Sequence, residues 1–259
     1  TVDDKWMVNL ITAFYAHQAL QPLTGLLMEK YPQVTAVINN ITSRKAGVAI
    51  GEFELTLAGN PTIADKIGSF EFEISANSFF QTNTLGAAEL YETVKKYAEL
   101  SGSETVIDLY SGTGTIPILL SGVAREVIGL EMMSSAVADA KNNCRHNQVE
   151  NCRFVLGDIR ETLALIASRP DVLIIDPPRA GMHKDVAKQV LAMLPERIVY
   201  VSCNPTTLAR DLVLLKEAYQ VKEVQPVDLF PHTYHIESVA KLVKKKKRPE
   251  SDKARKLES

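Results

Sequence analysis

The chain has 259 residues, 46% of them hydrophobic, and a formal net charge of −2. That length holds one large domain or two around an ordinary core, which excludes a disordered or fibrous chain. Apolar runs such as Ile116–Leu120 and Val172–Ile175 fall far short of the roughly 18 residues that argue for a membrane span. The N-terminus lacks the basic-then-apolar pattern of a secretory signal. Three cysteines, Cys144, Cys152 and Cys203, show no ligand spacing, so neither a disulfide framework nor a metal site is expected, and a reducing cytoplasm is the simplest compartment.

Charge is uneven along the chain. From Lys241 onward nine Lys/Arg stand against three Asp/Glu, so the rest carries about −8 of the total −2. The body is acidic, whereas nucleic-acid binding usually shows a basic face. The run Lys244–Arg248 reads as the start of a solvated, disordered tail over 244–259.

Residues 1–75 read as a small α+β unit. Alternating segments at 35–38, 47–50 and 53–57 suggest strands, and Asn39-Asn40 and Gly59-Asn60-Pro61 suggest the turns between them. A helix is expected over Leu20–Lys30, with Leu23, Leu26, Leu27 and Lys30 at helical spacing before Tyr31-Pro32. No cluster in this unit suggests chemistry.

The pattern changes after the alternating strand Phe70–Ile74. Asn77-Ser78-Phe79-Phe80-Gln81-Thr82-Asn83 leads into an amphipathic helix reaching about Leu100, capped by Thr82, Asn83 or Thr84, with an expected stripe of Leu85, Ala88, Tyr91, Val94 and Ala98. Two aromatics beside an amide can stack a base, although one of Phe79 and Phe80 is expected in the core.

From Thr105 the chain repeats strand, turn, helix. The strand Thr105–Leu109 runs into Tyr110-Ser111-Gly112-Thr113-Gly114 and a helix from Thr115; the glycines allow a tight turn and close approach of backbone to a ligand. The next strand ends in Glu131, 19 residues after Gly112, the spacing at which an acid accepts from ribose hydroxyls. A third strand, Cys152–Leu156, ends in Gly157-Asp158, and a fourth, Val172–Ile175, in Asp176-Pro177-Pro178-Arg179. This is an α/β, Rossmann-like pattern with an adenosine-type ligand at the strand ends. No GxxxxGK[ST] or GxGxxG cradles phosphates, so S-adenosylmethionine, which has none, fits better.

The strand Ile198–Val201 stops at Ser202-Cys203-Asn204-Pro205, which places Cys203 at a carboxyl strand end, where catalytic side chains collect in open α/β sheets. A thiolate that adds to carbon 6 of a pyrimidine makes carbon 5 nucleophilic, and a base must then remove the carbon-5 proton. Glu237, beside the closing strand Val239–Val243, is the candidate base, and His232 and His235 are candidates for proton transfer, for a structural role or for binding substrate phosphate.

Five segments together, Phe79–Asn83, Asp108–Gly114, Asp176–Gly181, Ser202–Asp211 and Pro231–Ser238, resemble the RNA uracil-C5 methyltransferase family, over about residues 20–243. The resemblance implies a catalytic domain over 76–243 that ends in an antiparallel strand, with Cys203 as nucleophile and Glu237 as base. It implies that Gln81, Tyr110, Glu131 and Asp176 hold S-adenosylmethionine, beside Gly112 of the glycine turn and Asp158 of the third strand end, which are cofactor candidates from their positions. It further implies that Phe79, Gln81, Asp176 and Arg179 face the substrate, Phe79 stacking near a flipped uracil.

Family members typically carry an N-terminal oligonucleotide-binding barrel, and many have a four-cysteine iron–sulfur cluster. The opening sequence and the three cysteines match neither, so the chain reads as the catalytic part plus the end of a central domain. It is expected to be a monomer that binds cofactor well and RNA weakly. The wording of Asn204–Asp211 and Asp228–Thr233 leans toward ribosomal over transfer RNA. The competing readings are an RNA cytosine-C5 methyltransferase, for which Arg179 stands where a cysteine is expected, an adenine aminomethylase, and a non-catalytic cofactor-binding RNA module.

Overall fold

The computed structural model describes residues 1–43 and 51–246. At the N-terminus, β1 (Trp6–Thr12), α1 (His17–Lys30), β2 (Val34–Ile41) and β3 (Phe53–Gly59) form a three-stranded sheet in the order β1-β2-β3. The first two strands are parallel because α1 carries the chain back between them. A separate hairpin, β4 (Thr62–Ile67) with β5 (Phe70–Ser75), follows.

Several expectations for this region need correction. Asn39 and Asn40 are not a turn but lie inside β2, fully buried. Their amides are accommodated because Asn39 donates to the Leu10 carbonyl (2.8 Å) and Thr12 Oγ1 (3.0 Å), and Asn40 to Asn9 Oδ1 (2.9 Å). The helix starts three residues early, at His17, and buries Leu20 and Thr24 while Leu23 and Leu26 are exposed. The segment expected as a strand at 47–50 lies outside the described residues.

Next come α2 (Thr84–Ala98), β6 (Thr105–Leu109), α3 (Thr115–Ser121), β7 (Glu126–Glu131), α4 (Ser134–His146), β8 (Cys152–Leu156) and α5 (Ile159–Leu165). The chain closes with β9 (Val172–Ile175), α6 (Lys184–Met193), β10 (Arg197–Ser202), α7 (Pro205–Leu215), β11 (Tyr219–Val227) and β12 (Glu237–Lys244). The seven strands order as β11-β12-β10-β9-β6-β7-β8, and only β12 runs against its neighbours. Asn83 caps α2 by accepting from Gly86 N, but the buried face includes Thr84, Ala87 and Leu90 and leaves Leu85 in solvent. Thr84 turns inward because its hydroxyl donates to Asp65 Oδ2 at 2.5 Å. Lys244 closes β12 and pairs with Glu196 at 2.6 Å instead of opening a tail, and residues 247–259 lie outside the description.

The sheet is buried on both faces, as parallel sheets are. Val106, Ile174, Val199, Val201 and Val239 face one core with α2, α3 and α4, whereas Ile107, Ile175, Ile198 and Tyr200 face a second core with α5, α6 and α7. No helix among the described residues is long and apolar enough to cross a membrane.

Candidate active site

Side chains two apart on a strand stand on one face, and this periodicity assembles the site. Asp108 follows Val106, Asp176 follows Ile174, Cys203 follows Val201 and Glu237 precedes Val239, so all four rise on the face packed by α2 and α3. Because β12 is antiparallel, its first residue arrives at the edge where the parallel strands end. Ser202 pairs with Ser238, and one step outward Cys203 and Glu237 are brought together.

The cluster is acidic and poorly solvated. Asp108 is fully buried and neither carboxylate oxygen has a hydrogen-bond partner; burial, then Asp176 and Glu131, hold it well above the ordinary carboxylate range. Burial and then Glu237 push half-buried Asp176 up to about 7. Glu237, 5% exposed, is raised by burial and partly relieved by Arg179. The Cys203 thiol is raised by burial, Glu237 and Asp176, with Arg179 acting in the opposite direction. Like charges in a desolvated pocket favour protonated forms, and a cation arriving there would reverse that preference.

Glycine and glutamate shape the first loop. Gly112 has φ +53 and open space where a Cβ would project, whereas Gly114 (φ +81) is closed off by Ala140 and Phe154. Glu131 accepts from Gly112 N (3.0 Å), Met132 N and Met133 N (both 2.8 Å), tying this loop to the next strand end. The open glycine, the unpaired Asp108 oxygens and the absence of Lys or Arg from residues 108–115 fit a ligand with an adenosine moiety and a cationic, phosphate-free arm.

The remaining expected residues lie around this centre in three groups. Tyr110 adopts φ +68 and packs toward the second core, its phenol pushed up to about 12 by burial, Asp211 and Asp158. Asp158 caps α5 and pairs with Arg160, which lowers it to about 2. Gln81 is buried and lines a cleft with Asn9, Asp65 and Ser75; among the described residues no hydrogen bond joins it to the acids. Phe80 packs on Phe72 with ring centroids 5.8 Å apart, while Phe79 is 73% exposed. This segment is anchored to the far loop where Asn83 Nδ2 donates to the Leu229 carbonyl at 2.8 Å. Arg179 contacts His235, and His232 is exposed at φ +67.

One supporting network was not evident in the sequence. Asp211, fully buried, accepts from Tyr200 Oη (2.6 Å), Met182 N (2.7 Å) and Arg210 Nε (2.8 Å), and Arg210 reaches the Ala180 carbonyl (2.9 Å). It bolts the Asp176–Met182 loop to the helix after Cys203. The signal available was the adjacent pair Arg210-Asp211, about two helical turns beyond Cys203, which spacing alone does not distinguish from a surface pair.

Residues 56–246 match the family model described as tRNA (Uracil-5-)-methyltransferase. An uncharacterized RNA methyltransferase from Enterococcus faecalis is 42% identical over 244 residues, covering 93% of this chain and 53% of that protein. Another from Clostridium acetobutylicum is 44% identical over 221 residues, covering 84% and 48%. The chain thus spans about half the length of the curated relatives it matches. The crystal structure of Pyrococcus abyssi tRNA (uracil-54, C5)-methyltransferase in complex with S-adenosyl-L-homocysteine superposes with a TM-score of 0.74 at 34% identity, over 92% of this chain and 56% of that one. A Methanocaldococcus jannaschii tRNA m1G37 methyltransferase, TM-score 0.62 at 16% identity over 93% and 71%, shares the fold alone. With most of its length matched by the family model, the chain belongs to the tRNA (uracil-5-)-methyltransferase family.

Proposed function

We propose that this chain carries the catalytic machinery for S-adenosylmethionine-dependent methylation of uracil carbon 5 in structured RNA, through a transient bond between Cys203 and carbon 6. The observation that carries the reading is the meeting of a thiol and a buried carboxylate, Cys203 and Glu237, at one sheet edge from strands of opposite direction. When bound, the cofactor supplies a methyl group activated by a sulfonium. Gly112, Glu131, Asp108 and Asp176 would hold it, with Gln81, Tyr110 and Asp158 at its periphery.

Cys203 acts as the thiolate and adds to carbon 6, which moves electron density onto carbon 5 and the adjoining carbonyl. Once carbon 5 carries the methyl group, Glu237 takes the proton from it; the electron pair re-forms the 5,6 double bond and the sulfur leaves as thiolate. A carboxylate raised by burial is suited to accept that proton. Exposed Phe79 offers a ring on which an extruded base can stack.

The test is RNA containing 5-fluorouridine, which has no carbon-5 proton to surrender. It is expected to leave a methylated, covalent RNA adduct on Cys203, seen as a shifted band and a modified peptide. Cys203→Ala is expected to abolish both adduct and turnover while calorimetric cofactor binding persists. An active Cys203→Ala variant would overturn the mechanism.

For the RNA class, the Asn204–Asp211 and Asp228–Thr233 wording supports ribosomal RNA. Transfer RNA is the second reading, favoured by the 34% identity to the archaeal uracil-54 enzyme. Mapping 5-methyluridine in both RNA classes from cells lacking the gene decides between them.

A further inference from the structure

A nucleophilic thiolate is favoured by a nearby positive charge, and Cys203 instead faces Glu237 and Asp176. Among the described residues, Arg179 is the cation that acts on both Cys203 and Glu237. It sits on an exposed loop and has no carboxylate partner among the described ion pairs. Its side chain is held instead by an imidazole: Arg179 Nη2 lies 2.9 Å from His235 Nδ1 and 3.2 Å from Nε2.

His235 is itself fixed. Its backbone N–H donates to Thr233 Oγ1 (3.1 Å), whose hydroxyl donates to the Phe230 carbonyl (2.7 Å), and the Tyr234 ring lies 4.1 Å away between centroids. On the other side, the Arg179 carbonyl accepts from Thr207 Oγ1 at 3.3 Å, in the helix that follows Cys203. A guanidinium can only donate, so the imidazole is the accepting side of this contact.

We propose that His235 is a positioning residue for the nucleophile: by accepting from Arg179, whose backbone is tied to the helix after Cys203, it keeps one guanidinium at the sheet edge that carries Cys203 and Glu237. The proposal rests on the reading of Cys203 as nucleophile and adds the origin of its counter-charge. Without the clamp, the long Arg179 side chain regains its rotamer freedom and turns to solvent.

The experiment follows alkylation of Cys203 by iodoacetamide across neutral to alkaline pH, read on the Cys203 peptide by mass spectrometry, without RNA. In His235→Ala the midpoint is expected to rise by about 0.5–1 pH unit, with the thermal melt retained. Arg179→Ala is expected to give the same rise, and the double variant no more than either. His235→Gln, whose amide oxygen can accept from Arg179, is expected to restore the wild-type midpoint. A midpoint unmoved in His235→Ala, or shifts that add in the double variant, would overturn the clamp. The 5-fluorouridine adduct in wild-type protein separates this from failure of the mechanism itself: trapping with an unmoved midpoint refutes the clamp alone.

Discussion

The carboxyl edge of the large sheet and the small N-terminal sheet both bury polar side chains, with opposite outcomes. In the small sheet, Asn39 and Asn40 are neutral; their amide nitrogens find partners on β1, while their buried Oδ1 atoms, which carry no charge, have none among the described residues. At the edge, neither oxygen of the equally buried Asp108 has a partner, and the neighbouring carboxyl groups of Asp176 and Glu131 raise it further. Buried amides with partners add modestly to stability, whereas buried like charges subtract from it. The first arrangement is what a sheet needs to hold together, and the second is what a site keeps in readiness for a cationic ligand. Strain of that kind persists only where the surroundings over-determine it, and the Asp211 network is that frame.

The largest effect is therefore expected from breaking the frame. Gly181 has φ +77, and a Cβ there would lie 2.6 Å from Asp211 Oδ2 and 2.4 Å from Arg210 Nη2. The arginine tip can swing away, but Asp211 is pinned by Tyr200 and Met182. Gly181→Ala is expected to cost about 2–4 kcal/mol, from left-handed backbone strain together with loss of a buried charged hydrogen bond. Urea denaturation measures it, and methyl transfer should fall with it because the loop bearing Asp176 and Arg179 is released. A variant of wild-type stability would mean that the acids need no such frame.

The second test sharpens the comparison at its charged side. Asp176 is raised to about 7 from an ordinary 3.8, so the folded state holds a proton that the unfolded chain releases, and stability falls as pH rises through that interval. Asp176→Asn removes the loss. The unliganded variant is expected to be about 1–3 kcal/mol more stable than wild type near pH 8, with the gap closing toward about pH 4. Thermal melts across pH check this, and activity should drop in the same variant, as expected where function and stability compete. A variant less stable at alkaline pH would contradict the reading of this edge as strained.

The two regions also differ in how legible they were. Glu131, Asp176 and Cys203 could be placed from sequence because each ends or directly follows a short apolar strand, a local signal, whereas Asp108, inside β6, was not singled out. Glu237 could be placed at the same edge because it opens an apolar run at the end of the chain. The small sheet resisted because Asn39 and Asn40 are residues that usually break strands, and what keeps them inside β2 is a strand about 30 positions earlier. The first turn of α2 was misread for the same reason: Tyr91, Val94 and Ala98 are buried as expected, but Thr84 is buried and Leu85 exposed because of Asp65, a residue of a different element. Arg179 and His235, 56 positions apart, met only through the tertiary fold.

The smallest effect is expected where the small sheet grips the segment leading to the site. Asn77 accepts from Gly51 N at 3.1 Å and donates to Glu54 Oε2 at 2.9 Å, two residues before Phe79. Both bonds are part-buried and one is to a charged group, so Asn77→Ala is expected to cost about 0.5–1.5 kcal/mol. Glu54 is already raised by burial and by Asp139; losing its donor penalises the charged form further, so the cost should grow as pH rises through the carboxylate range. Because no described hydrogen bond links Asn77 to the carboxyl edge, the pH midpoint of Cys203 alkylation should stay at its wild-type value. If Asn77→Ala moved that midpoint, the two regions would be coupled, and the polar row of the small sheet would have to be counted with the active site.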